Sequence, residues 1–303
     1  MTTDDARLEL RGAMTALVTP FREGEVDDAA LADLVERQID AGTDWLVPCG
    51  TTGESPTLSR AEQDEIISLV VKQARGRCGV LAGTGSNHTA EAVRKTQRAA
   101  ELGADAAMLV APYYNRPTQE GLFLHYAAVA DAVDLPIVLY NVPARTGVSI
   151  GNDVIVRLRE RFPQTAAVKD ATGDLDQLTD LLGRSDIAVL CGDDTLTWPM
   201  MALGAVGVVS VISNLDPSLM KSLVEAAGRG DGPEALRLHR KMYNLAKGIG
   251  RFGPNPLPIK TALAIRGLIG EEFRLPLCPV GGEARLEIER VLRRHEFMEP
   301  AAR

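Results

Sequence analysis

Lys169 stands at the end of the apolar run Thr165-Ala166-Ala167-Val168. An ammonium at such a place loses hydration, which favours the neutral amine, a nucleophile toward carbonyl carbon. Taken alone, a strand-end lysine is more often an ion-pair partner, here of Asp170. Its surroundings argue for chemistry. Tyr140 ends the preceding apolar run, so its phenol is placed to donate and recover protons beside a forming imine; a core tyrosine with a satisfied hydroxyl is the competing reading. Thr51 and Thr52 lie between Gly50 and Gly53, a turn that lets backbone N–H groups approach a carboxylate, or that is turn chemistry and nothing more. Asp193 and Asp194 follow Gly192. Barrel enzymes that bind phosphate do so after their last two strands, where this acidic pair would repel it, so the expected substrate is not phosphorylated.

Eight short apolar runs must position these groups: 14–18, 45–48, 79–82, 106–110, 136–140, 165–169, 188–191 and 207–211. Stretches with 3.6-residue periodicity alternate with them at 28–41, 61–73, 90–102, 119–132, 153–161, 175–182, 196–203 and 217–227. Ser59-Arg60-Ala61-Glu62 reads as a capping box opening the second helix. The expected fold is an α/β (β/α)8 TIM barrel, whose active site lies at the C-terminal ends of the strands. An open doubly wound sheet would want a GxGxxG after the first strand, and there is none; Gly83-Thr84-Gly85 is a lone glycine turn. The glycine-rich stretch at 228–233 is read as a boundary between a catalytic barrel (1–231) and a small C-terminal helical domain (232–303), with helices near 234–247, 257–268 and 282–294.

The chain has 303 residues, 45% hydrophobic and 24% charged, with a net charge of −8. These values suit a globular enzyme and lack the basic face that nucleic acid requires. No apolar run reaches the roughly 18–20 residues of a membrane span. Met1 to Arg11 is polar and acidic, unlike a secretory leader, so a cytoplasmic protein is expected. Cys49, Cys78, Cys191 and Cys278 form no CxxC pair and read as buried free thiols. His88, His125, His239 and His295 show no metal-ligand spacing, so neither a metal nor a cofactor is expected.

The strand ends also carry a resemblance. Gly50-Thr51-Thr52-Gly53-Glu54, Tyr113-Tyr114-Asn115-Arg116-Pro117, the run from Tyr140-Asn141-Val142-Pro143 through Ala144-Arg145-Thr146-Gly147, and Lys169-Asp170-Ala171-Thr172-Gly173 are similar to the motifs of the dihydrodipicolinate synthase family. Gly192-Asp193-Asp194, Gly207-Val208-Val209-Ser210-Val211 and Asn255-Pro256-Leu257-Pro258-Ile259-Lys260 agree, from about residue 10 to residue 295. The resemblance implies a lyase of lysine and diaminopimelate biosynthesis that condenses pyruvate with L-aspartate 4-semialdehyde through a Schiff base on Lys169. It implies that Tyr140 moves protons, that Thr51 links it to a Tyr114 reaching across a dimer interface, and that the protein is a homotetramer built as a dimer of dimers. Thr52, Gly192 and the backbone at Val209 would serve substrate binding. Arg145 would grip the carboxylate of the semialdehyde. It separates this reading from the alternative, a sister aldolase of the N-acetylneuraminate lyase or keto-deoxy sugar acid type; a non-catalytic sensor on a retired barrel is the other rival. Ser55, Asn87, Glu91 and Tyr113 resemble the family's allosteric lysine site. Arg60 and Gln63 replace its histidines, and a cation at Arg60 would repel lysine's ammonium.

Overall fold

The structure is a computed structural model that describes residues 9–297, so most of the Met1–Arg11 segment lies outside the described residues. Eight parallel strands close into a barrel: β1 (Gly12–Ala16), β2 (Trp45–Val47), β3 (Gly79–Gly83), β4 (Ala106–Val110), β5 (Ile137–Asn141), β6 (Thr165–Asp170), β7 (Ala188–Cys191) and β8 (Gly207–Ser210). Each pairs with its sequence neighbours, and β8 closes the ring on β1. The helices that follow them are α1 (Asp28–Asp40), α2 (Arg60–Ala74), α3 (Thr89–Glu101), α4 (Gln119–Ala130), α5 (Asn152–Arg161), α6 (Leu175–Arg184), α7 (Thr197–Leu203) and α8 (Pro217–Gly228). After a short turn come α9 (Gly232–Gly250), α10 (Leu257–Ile265) and α11 (Gly282–Arg294). The expected barrel is present, with a helical region after it.

The α2 start obeys the capping box. Ser59 Oγ accepts from the Glu62 N–H at 3.2 Å, and Glu62 returns a carboxylate oxygen to the Ser59 N–H at 2.7 Å. Besides three short 3-10 turns, two elements escaped the periodicity reading because each is too short for a repeat to show. They are a hairpin, Phe21–Arg22 with Glu25–Val26, and a single helical turn, Pro143–Thr146. Cys49, Cys78 and Cys191 are buried, but Cys278 is exposed, which corrects the expectation for that residue. It lies in the irregular stretch between α10 and α11, outside the layer under the helices where the other three are packed.

Strand alternation sorts the core into two layers. Met14, Trp45, Leu81, Met108, Val138, Ala167, Leu190 and Val209 fill the barrel's interior. Val168, Val189 and Val208 point outward into the larger layer under the helices. Trp45 plugs the N-terminal end, and Gly79 makes room for it: a Cβ there would lie 2.4 Å from the indole.

One contact ties the C-terminal helices to the strand ends. Lys260 of α10 donates to Glu54 at 2.5 Å, and both side chains are wholly buried. Glu54 sits in the left-handed region (φ 53°) just after the Thr51-Thr52 turn and also accepts from the Arg274 N–H at 3.2 Å. Burial pulls the Lys260 pKa down while the bond to Glu54 opposes it, and the ammonium lies over the rings of Phe21 and Phe273. Removing one partner of such a pair leaves the other charge unpaired in a dry site. Lys260→Met is therefore expected to cost about 3–5 kcal/mol in urea unfolding. Glu54→Gln added to Lys260→Met should recover much of that loss, because no buried charge remains. A wild-type unfolding midpoint for Lys260→Met would contradict the assignment.

Candidate active site

Alternation along β6 decides where Lys169 points. It shares a face with Ala167, so its side chain rises into the barrel mouth, whereas Asp170 turns to the other face. The pairing of Lys169 with Asp170 weighed from sequence is thus replaced by two separate fates. Asp170 accepts from the Thr172 N–H at 2.8 Å and closes the following turn, with burial raising its pKa. Lys169, 6% exposed, has its Nζ 4.0 Å from the ring centroid of Tyr140, its register partner on β5. The interior stack of side chains ends in these two polar tips.

Above them opens a cavity of about 390 Å³, walled by Thr51, Thr52, Tyr140, Arg145, Lys169, Gly192, Asp193 and Asp194 among others. Thr51 and Thr52 occupy the turn after β2, where the Gly53 N–H bonds to Gly50 O at 3.1 Å and the Glu54 N–H to Thr51 O at 3.2 Å. Those two amides are spent inside the turn. Gly83 allows the close approach of this segment to β3, since a Cβ there would lie 2.3 Å from Cys49 O. Arg145 projects from the single turn 143–146 and donates to Asn255 O at 3.1 Å.

The acidic pair has two unlike members. Asp193 caps its own turn through the Thr195 N–H. Asp194 accepts from the N–H groups of Val211 at 3.1 Å and Ile212 at 3.0 Å. Burial raises its pKa, and the Ser210 hydrogen bond and these amides oppose the shift. The backbone donors after β8 that a phosphate would use are already occupied by a carboxylate, so the expectation of an unphosphorylated substrate gains a second argument, blocked donors, beside repulsion.

Several candidate residues lie apart from this cavity. Tyr114 is 90% exposed in the left-handed region (φ 73°), and neither it nor Tyr113 lines the wall within this chain. Val209 is buried in the barrel interior below the cavity and is not among its lining residues. Asn87 donates to Tyr113 O at 3.2 Å, so these two meet on the outer surface. Glu91 is held by Arg94 at 2.7 Å and Arg60 at 3.0 Å. The Arg94 hydrogen bonds, with the Arg60 charge added, hold its pKa at about 2. Arg60 thus engages the acid directly while its side chain remains exposed. Gln63 turns inward, donating to Ser55 O at 3.1 Å.

Sequence reasoning missed the part played by the C-terminal helices. Ala246, Lys247, Ile249 and Gly250 of α9, together with Asn255 and Pro258, complete the cavity wall. The available signal was the Asn255-Pro256 pair, which marks a turn but says nothing of its neighbours. Among the described residues no group of three His, Cys, Asp or Glu side chains is placed to hold a metal ion, and no helix is long and apolar enough to cross a membrane.

The family model described as the dihydrodipicolinate synthetase family matches residues 9–295. The 4-hydroxy-tetrahydrodipicolinate synthase of Pelobacter propionicus is 48% identical over 285 residues, covering 93% of this chain and 98% of that protein. That of Geotalea daltonii is 47% identical over 290 residues, covering 95% and 99%. The crystal structure of dihydrodipicolinate synthase from Aquifex aeolicus superposes with a TM-score of 0.93 at 45% identity, covering 95% of this chain and 99% of that one. With the match running through the barrel and the C-terminal helices alike, the chain belongs to the dihydrodipicolinate synthetase family.

Proposed function

We propose that this chain is a Schiff-base-forming lyase with 4-hydroxy-tetrahydrodipicolinate synthase activity, condensing pyruvate with L-aspartate 4-semialdehyde. The observation that carries the reading is the pairing of Lys169 and Tyr140 at the floor of one cavity whose rim holds Arg145. Lys169 Nζ attacks the keto carbon of pyruvate, and loss of water leaves the imine. A methyl proton then leaves to give the enamine, whose carbon attacks the aldehyde of the second substrate. The protonated imine is the electron sink, so the chemistry needs no metal.

Tyr140 takes and returns the protons of these steps, with Thr51 beside it in the cavity wall. Thr52 donates to the pyruvate carboxylate, Gly192 borders the pyruvate subsite, the backbone at Val209 underlies it from just below the cavity floor, and Arg145 takes the carboxylate of the semialdehyde. Tyr114 comes from a second copy of the chain. Its exposure and left-handed backbone hold the phenol away from its own cavity, which suits a residue completing a neighbour's relay. The assembly in this reading is a homotetramer of two such dimers, working in the cytoplasm. Ser55, Asn87, Glu91 and Tyr113 mark a surface site in which Glu91 is already neutralised by two guanidinium groups, so L-lysine has no free carboxylate for its ammonium.

Borohydride with pyruvate is expected to add one reduced pyruvate unit, mapped by peptide mass to Lys169, and Lys169→Ala should abolish the label. Modification of another lysine would sink the reading. Arg145→Ala should still trap pyruvate yet lose roughly 30- to 1,000-fold in kcat/KM for the semialdehyde, the cost of a charge-assisted bidentate contact. Near-normal turnover by that variant would return the sugar-acid aldolases to contention. L-lysine at about 1 mM, the weak end of metabolite affinity, should leave turnover essentially unchanged. Strong inhibition below that concentration would show that Glu91 is released for a ligand despite its two arginines.

A further inference from the structure

Asn255 reaches the cavity from the segment joining α9 to α10, and it touches both groups assigned to substrate carboxylates. Its Nδ2 donates to Thr52 Oγ1 at 2.9 Å, and its backbone oxygen accepts from Arg145 at 3.1 Å. Its Oδ1 is buried with no protein partner. The contact with Thr52 is not needed to hold the two segments together. Glu54, two residues beyond Thr52, and Lys260, five beyond Asn255, already join them through the buried ion pair.

A threonine hydroxyl has one proton and two lone pairs, whereas an amide nitrogen donates only. By donating to Oγ1, Asn255 makes Thr52 an acceptor toward the protein and leaves the hydroxyl proton free for the cavity. A carboxylate wants that proton. If the neighbour were itself an acceptor, the hydroxyl would turn toward it and present lone pairs to the substrate's negative charge instead.

We infer that Asn255 is a positioning residue for the keto-acid substrate: its amide aims the Thr52 hydroxyl proton at the carboxylate of the pyruvate unit. The inference rests on the pyruvate reading above. It makes the sign of the hydrogen bond, rather than its presence, the property that matters. Asn255→Asp keeps the size of the side chain but reverses the sign, since a carboxylate accepts the Thr52 proton and adds like charge. Asn255→Ala merely lets the hydroxyl rotate. The backbone oxygen that holds Arg145 survives both changes.

The test measures the pyruvate dependence of borohydride trapping on the full chain for wild type, Asn255→Asp, Asn255→Ala, Thr52→Val and the two double variants. Half-saturating pyruvate should rise about tenfold or more in Asn255→Asp, as for loss of a hydrogen bond to a charged group, and less in Asn255→Ala. In the Thr52→Val background both increments should shrink to about twofold or less, because the hydroxyl being aimed is gone. The KM for the second substrate in Asn255→Ala should stay within about twofold of wild type, because the carbonyl holding Arg145 remains. A merely structural role predicts the reverse order, with the isosteric Asp tolerated better than Ala. That order, or increments of equal size with and without the Thr52 hydroxyl, would overturn the inference. Should Asn255→Asp fail to fold, the Asn255→Ala and Thr52→Val cycle decides by itself. Absence of pyruvate trapping on Lys169 in the wild type would instead refute the underlying function, so the two failures are distinguishable.

Discussion

The turn that carries Thr51 and Thr52 keeps its shape because Glu54, the residue that ends it, is clamped from outside the barrel. Two opposite charges at 2.5 Å, both sealed from water, join the loop after β2 to the helix α10, more than two hundred residues later. A buried ion pair is weak evidence for net stability, since desolvation offsets most of the attraction. Its force is in specificity: any displacement of α10 leaves a bare charge in a dry site. Glu54 also accepts from the Arg274 N–H, and Arg274 bonds Glu62 of α2. That hydrogen-bonded contact holds the Glu62 pKa at about 2. The strand-end turn, the start of α2 and the last third of the chain thus form one charged junction, with the rings of Phe21 and Phe273 packed around the Lys260 ammonium.

The turn held by this junction faces a set of polar tips on an apolar stack. Inside the barrel each strand contributes every second residue, and the stack remains apolar until it reaches Lys169 and Tyr140. The same alternation keeps Asp170 from neutralising the lysine. At the next strand end, after β7, Asp194 takes the amides of Val211 and Ile212 for itself. One internally hydrogen-bonded acid thus occupies the backbone donors after β8 that phosphate-binding barrels leave open. The cations left at the cavity wall, Arg145 and Lys247, stand on opposite sides of the chain's organisation, one on a strand-end turn and one on α9.

Much of the architecture was legible because its signals are local. Period-2 and period-3.6 runs depend on near neighbours, and the positions read from them fall within about two residues of the observed bounds in the barrel and about three in the C-terminal helices, where the ends carry no strand beside them. The capping box at Ser59 is a four-residue pattern that needs no tertiary partner. The hairpin at Phe21 and the single turn at Pro143 failed to register because they are too short to show a period. Cys278 is exposed although it adjoins Leu277, because an apolar neighbour in sequence brings burial only where a second layer covers the segment.

By itself the sequence determined the eight-fold alternation of strands and helices, and with it the placing of Lys169, Tyr140 and the Thr51-Thr52 turn at strand C-termini. These follow from the direction and periodicity of the backbone. Only the tertiary structure decided which side chains meet: Asn255 with Thr52 and Arg145, Lys260 with Glu54, Asp194 with the amides after β8, Arg60 with Glu91. Each of these contacts joins segments at least 17 residues apart, and most join segments far more distant. A hydrogen bond or an ion pair has no periodicity to betray it along a chain, because it depends on a distance of about 3 Å in space. That distance exists only once the barrel has closed.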